Sequence, residues 1–208
     1  MLRIEKLKHS YDGDAQISYP DWKVEEGNHA VILGNSGCGK TTLLHLIGGL
    51  MSPKEGTLEV AGENLGSKSD VKLDRFRGEN IGIVFQRPHL IRSLSVKENL
   101  SLSQYLGRKK TDGRRLDEVL SRLGIKELAN RKIHQISQGQ AQRVSIARAV
   151  INSPKLLLAD EPTASLDDEN CKKVIDLLKS QAEETGATLI VATHDQRVKS
   201  EFKNQLSL

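Results

Sequence analysis

The octet Gly34-Asn35-Ser36-Gly37-Cys38-Gly39-Lys40-Thr41 constrains the chain more than any other feature. It follows a near-continuous apolar run, His29-Ala30-Val31-Ile32-Leu33, of the kind that forms a strand buried on both faces. It precedes Thr42 to Leu50, whose apolar spacing is helical and which stops at Gly48-Gly49, ahead of Ser52-Pro53. A strand, a glycine-rich loop and a helix start, in that order, make a cradle for phosphates. Glycines let backbone N–H groups wrap the phosphates, and the helix N-terminus adds the positive end of its dipole. Lys40 is placed to reach the β- and γ-phosphates and the Thr41 hydroxyl to ligate Mg²⁺, with Thr42 in the first helical turn behind them. The octet predicts a bound nucleoside triphosphate. No Asn-Lys-x-Asp guanine-reading motif occurs, so the expected ligands are ATP and Mg²⁺.

The rest of the chain alternates strand and helix patterns. Leu2, Ile4 and Leu7 are apolar with charges between them, as in a half-buried strand. Tyr11-Asp12-Gly13-Asp14 reads as a turn, Ile17 and Tyr19 as a second short strand, and Thr57 to Val60 as a strand followed by a turn at Ala61 to Asn64. Ile81 to Phe85 is another buried strand, ending on Gln86. From about Arg87 to Asn152 the pattern is helical, with helices expected after Ser95, Asp112 and Ser137. Two buried strands, Leu156 to Ala159 and Thr188 to Ala192, flank a helix from about Asp168 to Glu184. This order predicts an α/β fold: a phosphate-loop NTPase core with a mainly parallel sheet, an N-terminal antiparallel β subdomain and an inserted α-helical subdomain at approximately 87–152. One domain is expected over residues 1–208.

Composition narrows the partners. Aromatic residues make up only 3% of the chain, which argues against a stacking platform for single-stranded nucleic acid. The net charge of +4 does not point to nucleic acid either, and no such partner is expected. The densest basic stretch, Arg108-Lys109-Lys110 with Arg114-Arg115 around a Thr111-Asp112-Gly113 turn, reads first as a solvated loop and second as a contact for a partner or lipid headgroups. Cys38 lies inside the phosphate loop, where a bridge would block the ligand, so Cys38 and Cys171 are expected to be free thiols of a reducing cytosol. No apolar run has a membrane-spanning length, and the first residues carry no continuous apolar stretch of a signal peptide. A cytoplasmic location is expected.

Two further motifs carry chemistry. Leu156-Leu157-Leu158-Ala159 delivers Asp160 and Glu161 to the end of a buried strand, where ligands bind in parallel sheets. Taken alone, the pair also fits a turn leading into a helix. Beside a phosphate loop, Asp160 is placed to hold Mg²⁺, directly or through water, and Glu161 to polarise an attacking water. Ser137 with Gln140 three residues on forms a capping box, which by itself marks an ordinary helix start.

Together these residues resemble the ATP-binding-cassette (ABC) ATPases over nearly the whole chain. The phosphate loop, Gln86, the signature-like Ile136-Ser137-Gln138-Gly139-Gln140, Asp160-Glu161, Ser165-Leu166-Asp167 and His194 occur in that family's order and approximate spacing. The resemblance implies a homodimer, head to tail, with two ATP molecules between the copies. Ser137 and Gly139, with Gln140 beside them, then face the γ-phosphate held by the other copy's loop. It further implies that His194 senses the γ-phosphate, that Gln86 ligates Mg²⁺ or water and reports the nucleotide state to the helical subdomain, that Asp167 lines the dimer interface and that Tyr11 stacks on adenine. Separately encoded transmembrane permease-type subunits are the implied partners, with the chain peripheral on the inner face of the cell membrane. Fourteen residues follow His194, and the compact chain looks most like subunits of lipoprotein-releasing, macrolide-export and cell-division complexes. A soluble ATP-driven switch acting on nucleic acid or ribosomes is the other reading, though this chain has a single cassette and no heptad run. The family usually has glycine where Gln138 stands; an N–H there still points at phosphate if φ is negative.

Overall fold

The computed structural model describes residues 1–11, 16–164 and 166–208, so the Asp12-Gly13-Asp14 part of the expected turn and Ser165 lie outside it. An antiparallel sheet is built first, from β1 (Leu2–His9), β2 (Ile17–Ser18) and β3 (Trp22–Val24). The chain then enters a second sheet with β4 (Ala30–Leu33) and turns into α1 (Lys40–Ile47) before returning to the first with β5 (Glu55–Val60) and β6 (Glu63–Asn64). Leu2, Ile4 and Leu7 are all buried although they break strict alternation. A register shift between Glu5 and Lys8, with Lys6 at φ 49°, moves one residue out of step and returns Leu7 to the core face.

The second sheet is parallel throughout and runs in the order β10-β4-β9-β8-β7, where β7 is Ile81–Val84, β8 Leu156–Asp160, β9 Thr188–Thr193 and β10 Asn204–Ser207. Its inner strands β4, β8 and β9 are buried at every position and mostly apolar because both faces are covered. Val31, Leu157, Leu189 and Val191 face one core, and Ile32, Leu158, Ile190 and Ala192 face the other, against α1 and the antiparallel sheet. The first core is roofed by α3 (Val96–Leu106), α4 (Gly113–Arg122), α5 (Gln138–Val150) and α6 (Asp168–Thr185).

The region expected to be helical from Arg87 is shorter and more broken than its sequence pattern. Residues 86–95 are not helical, α3 begins at Val96 behind a Ser95–Glu98 capping box, and two short 3₁₀ turns separate α4 from α5. Leu100, Leu120 and Val144 of these helices share one core with the sheet. Among the elements with no counterpart in the sequence pattern are β3, β10 and α2 (Asp70–Asn80). Each buries too few apolar residues to print a period. In α2 only Leu73 and Phe76 are buried, and in β10 only Leu206. Downstream, α7 (Gln196–Lys199) is a single turn after β9.

His29 sits just ahead of β4 and fastens it to β9, its Nδ1 accepting the Leu189 N–H at 3.1 Å. Burial holds its pKa below the ordinary value, outweighing the opposing pull of Glu183. A group whose folded pKa is depressed adds stability that is present above its unfolded pKa and lost as pH falls. Denaturant titrations should therefore show the stability margin of wild type over His29→Asn shrinking as pH is lowered through the ordinary histidine range of about 6.5.

Candidate functional site

The loop from Gly34 to Thr41 connects β4 to α1, and its geometry leaves the helix end open. Gly39 is the N-cap, at φ 100°, a left-handed conformation that glycine adopts without strain. No side chain caps α1 and no acid lies in its first turn, so its first N–H groups are without intrahelical acceptors. Tyr19, which the sequence reading placed only in a strand, buttresses the loop by donating from its hydroxyl to the Gly39 carbonyl at 3.3 Å. Burial pushes its phenol up to about 12, which keeps it a neutral donor. Lys40 is buried, and its Nζ donates to the carbonyls of Gly34 (2.9 Å) and Asn35 (3.0 Å). Cys38 and Cys171 are free thiols.

Two acids end β8 beside this loop. The Thr41 hydroxyl reaches both Asp160 oxygens, at 3.0 and 3.2 Å. Burial is the main influence on Asp160 and raises its pKa, only partly offset by the Thr41 bond. A buried carboxylate paired with a hydroxyl is a hard-oxygen site for a divalent cation, which would supply the missing positive charge. Glu161 continues the ladder, its N–H donating to the Ala192 carbonyl at 2.8 Å, and its φ of 45° turns the side chain out of the strand direction. Its carboxylate accepts from the Thr193 hydroxyl (2.9 Å) and the His194 N–H (3.3 Å), contacts His194 Nδ1 at 2.9 Å and lies 3.4 Å from Lys40 Nζ. Burial alone would raise its pKa, but the bonds from His194 and Thr193 outweigh it and hold Glu161 below the usual range, ionised at neutral pH.

The sheet thus gathers Lys40, Thr41, Asp160, Glu161 and His194 at the C-terminal ends of its strands. Tyr11 stands at the rim, about half exposed, its hydroxyl 2.9 Å from Thr42 Oγ1 and its ring edge-to-face with His9. Gln86 follows β7 and is exposed. The signature residues are not brought to the loop within one chain: among the described residues no hydrogen bond links Ser137, Gly139 or Gln140 to residues 34–41. Ser137 and Gln140 form the expected capping box at the start of α5, and a Cβ placed on Gly139 would meet open space. Gln138 is the first residue of α5 and is not among the positive-φ residues, so its position does not call for glycine. Asp167 caps α6 through the Asn170 N–H at 2.9 Å.

Sequence reasoning missed the residues that hold these groups in place. Asp195 accepts from Thr163 Oγ1 at 3.0 Å and from Arg197, which also pairs with Asp168 and donates to the Leu166 carbonyl at 3.1 Å. The turn after His194 is thereby tied to the segment after Glu161. Gln142 of α5 donates to the Pro162 carbonyl at 2.6 Å, and Arg148 to the carbonyls of Pro88 and His89 at 2.9 and 2.7 Å. No short motif marks such contacts, because each joins residues that are distant in sequence. A groove of about 540 Å³ opens beside the 85–89 segment, lined by Leu50, Arg77, Phe85, His89, Leu106 and Arg148 among others.

The family described as ABC transporter matches this chain over residues 18–164. The chain belongs to the ABC transporter family. This ABC cassette is 36% identical to the lipoprotein-releasing system ATP-binding protein LolD 1 of Caulobacter vibrioides, over 99% of the chain and 89% of that relative. Its fold matches the dimeric, post-hydrolysis structure of the ATP-binding cassette MJ0796 bound to ADP and Pi, with a TM-score of 0.89 and 35% identity, covering 100% of this chain and 94% of that one. It also matches cbiO1 from Clostridium perfringens, part of the ABC transporter complex cbiONQ, with a TM-score of 0.82 and 32% identity over 93% of this chain and 78% of that one. The α/β architecture of the cassette is therefore the family's, and nucleotide binding with ATP hydrolysis is its general activity.

Replacing Asp195 tests the tie behind the cassette's histidine. Asp195→Ala leaves the fully buried Thr163 hydroxyl without its acceptor and Arg197 without its chelating partner. Chemical denaturation should show a loss of about 1–3 kcal/mol.

Proposed function

We propose that this chain is the ATP-hydrolysing subunit of an ABC-type membrane complex. Two copies close head to tail around two ATP molecules, and that closure drives separately encoded membrane subunits. The observation that carries the reading is the uncapped start of α1 directly facing the Lys40, Thr41, Asp160 and Glu161 cluster. Helix N–H groups, an ammonium and a divalent-cation site converging on one point suit a triphosphate and its Mg²⁺.

In this reading Gly34, Asn35, Ser36, Gly37, Cys38 and Gly39 wrap the phosphates, and Lys40 exchanges its two loop carbonyls for β- and γ-phosphate oxygens. Thr41 and Asp160, with Gln86 directly or through water, would hold Mg²⁺, which when bound would offset the negative charge of the phosphates. Glu161 takes a proton from water as its oxygen attacks the γ-phosphorus. The bond from that phosphorus to the β–γ bridging oxygen breaks, and ADP and phosphate leave. His194, whose Nδ1 lies 2.9 Å from Glu161, holds the water and the γ-phosphate in line. Tyr11 stacks on adenine. Ser137, Gly139 and Gln140 close on the γ-phosphate of the other copy, and Asp167 lines the interface between copies.

The groove beside Phe85 and His89 is the docking site for the membrane partner, and its nearness to Gln86 lets nucleotide state and docking communicate. In this reading the chain attaches peripherally at the inner face through the membrane subunits; among the described residues no helix is long and apolar enough to cross a membrane. The likeness to LolD 1 favours lipoprotein release or export as the process served.

Glu161→Gln should keep ATP binding, lower turnover on the order of 10²–10⁴-fold and accumulate an ATP-bound dimer on gel filtration. Turnover close to wild type would remove Glu161 as the base. Lys40→Ala should weaken nucleotide affinity by about tenfold or more in a fluorescent-nucleotide titration. Unchanged affinity would remove the loop as the phosphate site.

A further inference from the structure

The turn between α3 and α4 combines features that a solvated loop does not need. Tyr105 and Leu106, at the end of α3, are 74% and 65% exposed. Five cations follow within Arg108 to Arg115. Three of them, Arg108, Lys110 and Arg114, form no ion pair among the described residues. The neighbouring acids are engaged: Asp112 caps α4, Glu79 pairs with Arg75, and Glu118 lies nearest Arg115.

The turn is also held firmly. Lys109 Nζ donates to the Asn152 carbonyl at 2.9 Å, and the buried Gln104 accepts the Asp112 N–H at 3.2 Å. Asn152 donates in turn to the Gly78 and Ser103 carbonyls, which fixes the base of the loop on α2 and α3. An exposed aromatic and an aliphatic side chain beside unpaired cations, on a braced support, match the interfacial layer of a membrane, where rings sit among headgroups and cations meet phosphates. The patch is continuous with the groove assigned to the membrane partner, because Leu106, Gly107 and Asn152 border that groove as well.

We propose that the α3–α4 turn is a contact for anionic phospholipid, with Tyr105 and Leu106 entering the interface and Arg108, Lys110 and Arg114 meeting headgroup phosphates. The proposal deepens the membrane-docking reading and in part rests on it. It is tested on the full chain without any membrane protein, so its failure and the failure of that reading are separable.

Flotation with phosphatidylcholine vesicles, with and without phosphatidylglycerol, reads the contact directly. Wild type should bind the phosphatidylglycerol vesicles selectively, and more weakly at high salt. Each cation near an anionic surface contributes about fivefold, so changing Arg108, Lys110 and Arg114 to Gln together should weaken binding on the order of a hundredfold while leaving ATP turnover unchanged. Changing the exposed Lys23, Lys54 and Lys203 to Gln alters net charge equally and should leave binding intact. Tyr105→Ser with Leu106→Ser should remove the part of binding that survives high salt. No preference for phosphatidylglycerol, or an equal loss in the Lys23, Lys54 and Lys203 variant, overturns the proposal. So does a wild type that stays unbound to both kinds of vesicle.

Discussion

The first N–H groups of α1 have no intrahelical acceptor, no capping side chain and no acid in the first turn, and a helix end in that condition favours an external anion. Gly39 makes this possible by turning the chain in the left-handed region, where no side chain is present to fold back as a cap. The positive field so created is shared with Lys40, whose ammonium is held on two loop carbonyls and 3.4 Å from Glu161. Both members of that pair are largely buried, so each depends on the other and on further hydrogen bonds to offset desolvation. A phosphate drawn to the helix end competes for the ammonium and meets an ionised Glu161 already held by Thr193 and His194.

The order of the parallel sheet decides which groups can share that field. The strand leading into the phosphate loop, β4, is not next to the acid-bearing strand β8, because β9 runs between them. Leu33 pairs with Thr193 and Ala192 with Asp160, so the end of β9 delivers Thr193 and His194 between the loop and the acids. Glu161 then reaches both Lys40 on one side and His194 on the other without any long loop. A sheet with β8 beside β4 would bring Asp160 near Thr41 but leave no strand to carry the histidine.

Much of this was legible because the site is built from short, local patterns at strand ends. The loop octet, the acid pair and the apolar runs of β4, β8 and β9 each announce themselves within a few residues, since a strand buried on both faces is apolar over most of its length. The parts that escaped depend on long-range contact. Helix α2 buries only two side chains and leaves no period to read. Strand β10 follows from its hydrogen bonds to β4 more than from its own residues. The bracing of His194 by Asp195, Arg197 and Thr163, and of the loop by Tyr19, joins side chains from separate elements, and their spacing in sequence carries no signal.

Helix α5 shows how one such long-range element links the separate motifs. Its first turn carries Ser137, Gly139 and Gln140, satisfied internally by the capping box and open to solvent beyond Gly139. One turn later Gln142 grips the carbonyl of Pro162, the residue after Glu161. Two turns after that, Arg148 grips Pro88 and His89, just past Gln86, and Arg148 and His89 line the groove. A packed helix moves as a rigid body, because its interior contacts resist small independent shifts. Any force that draws the start of α5 toward a phosphate therefore also bears on the chain beside Glu161 and on the groove wall. Three carbonyl grips on one helix thus join the segment after Glu161 to the chain just past Gln86 without a separate relay.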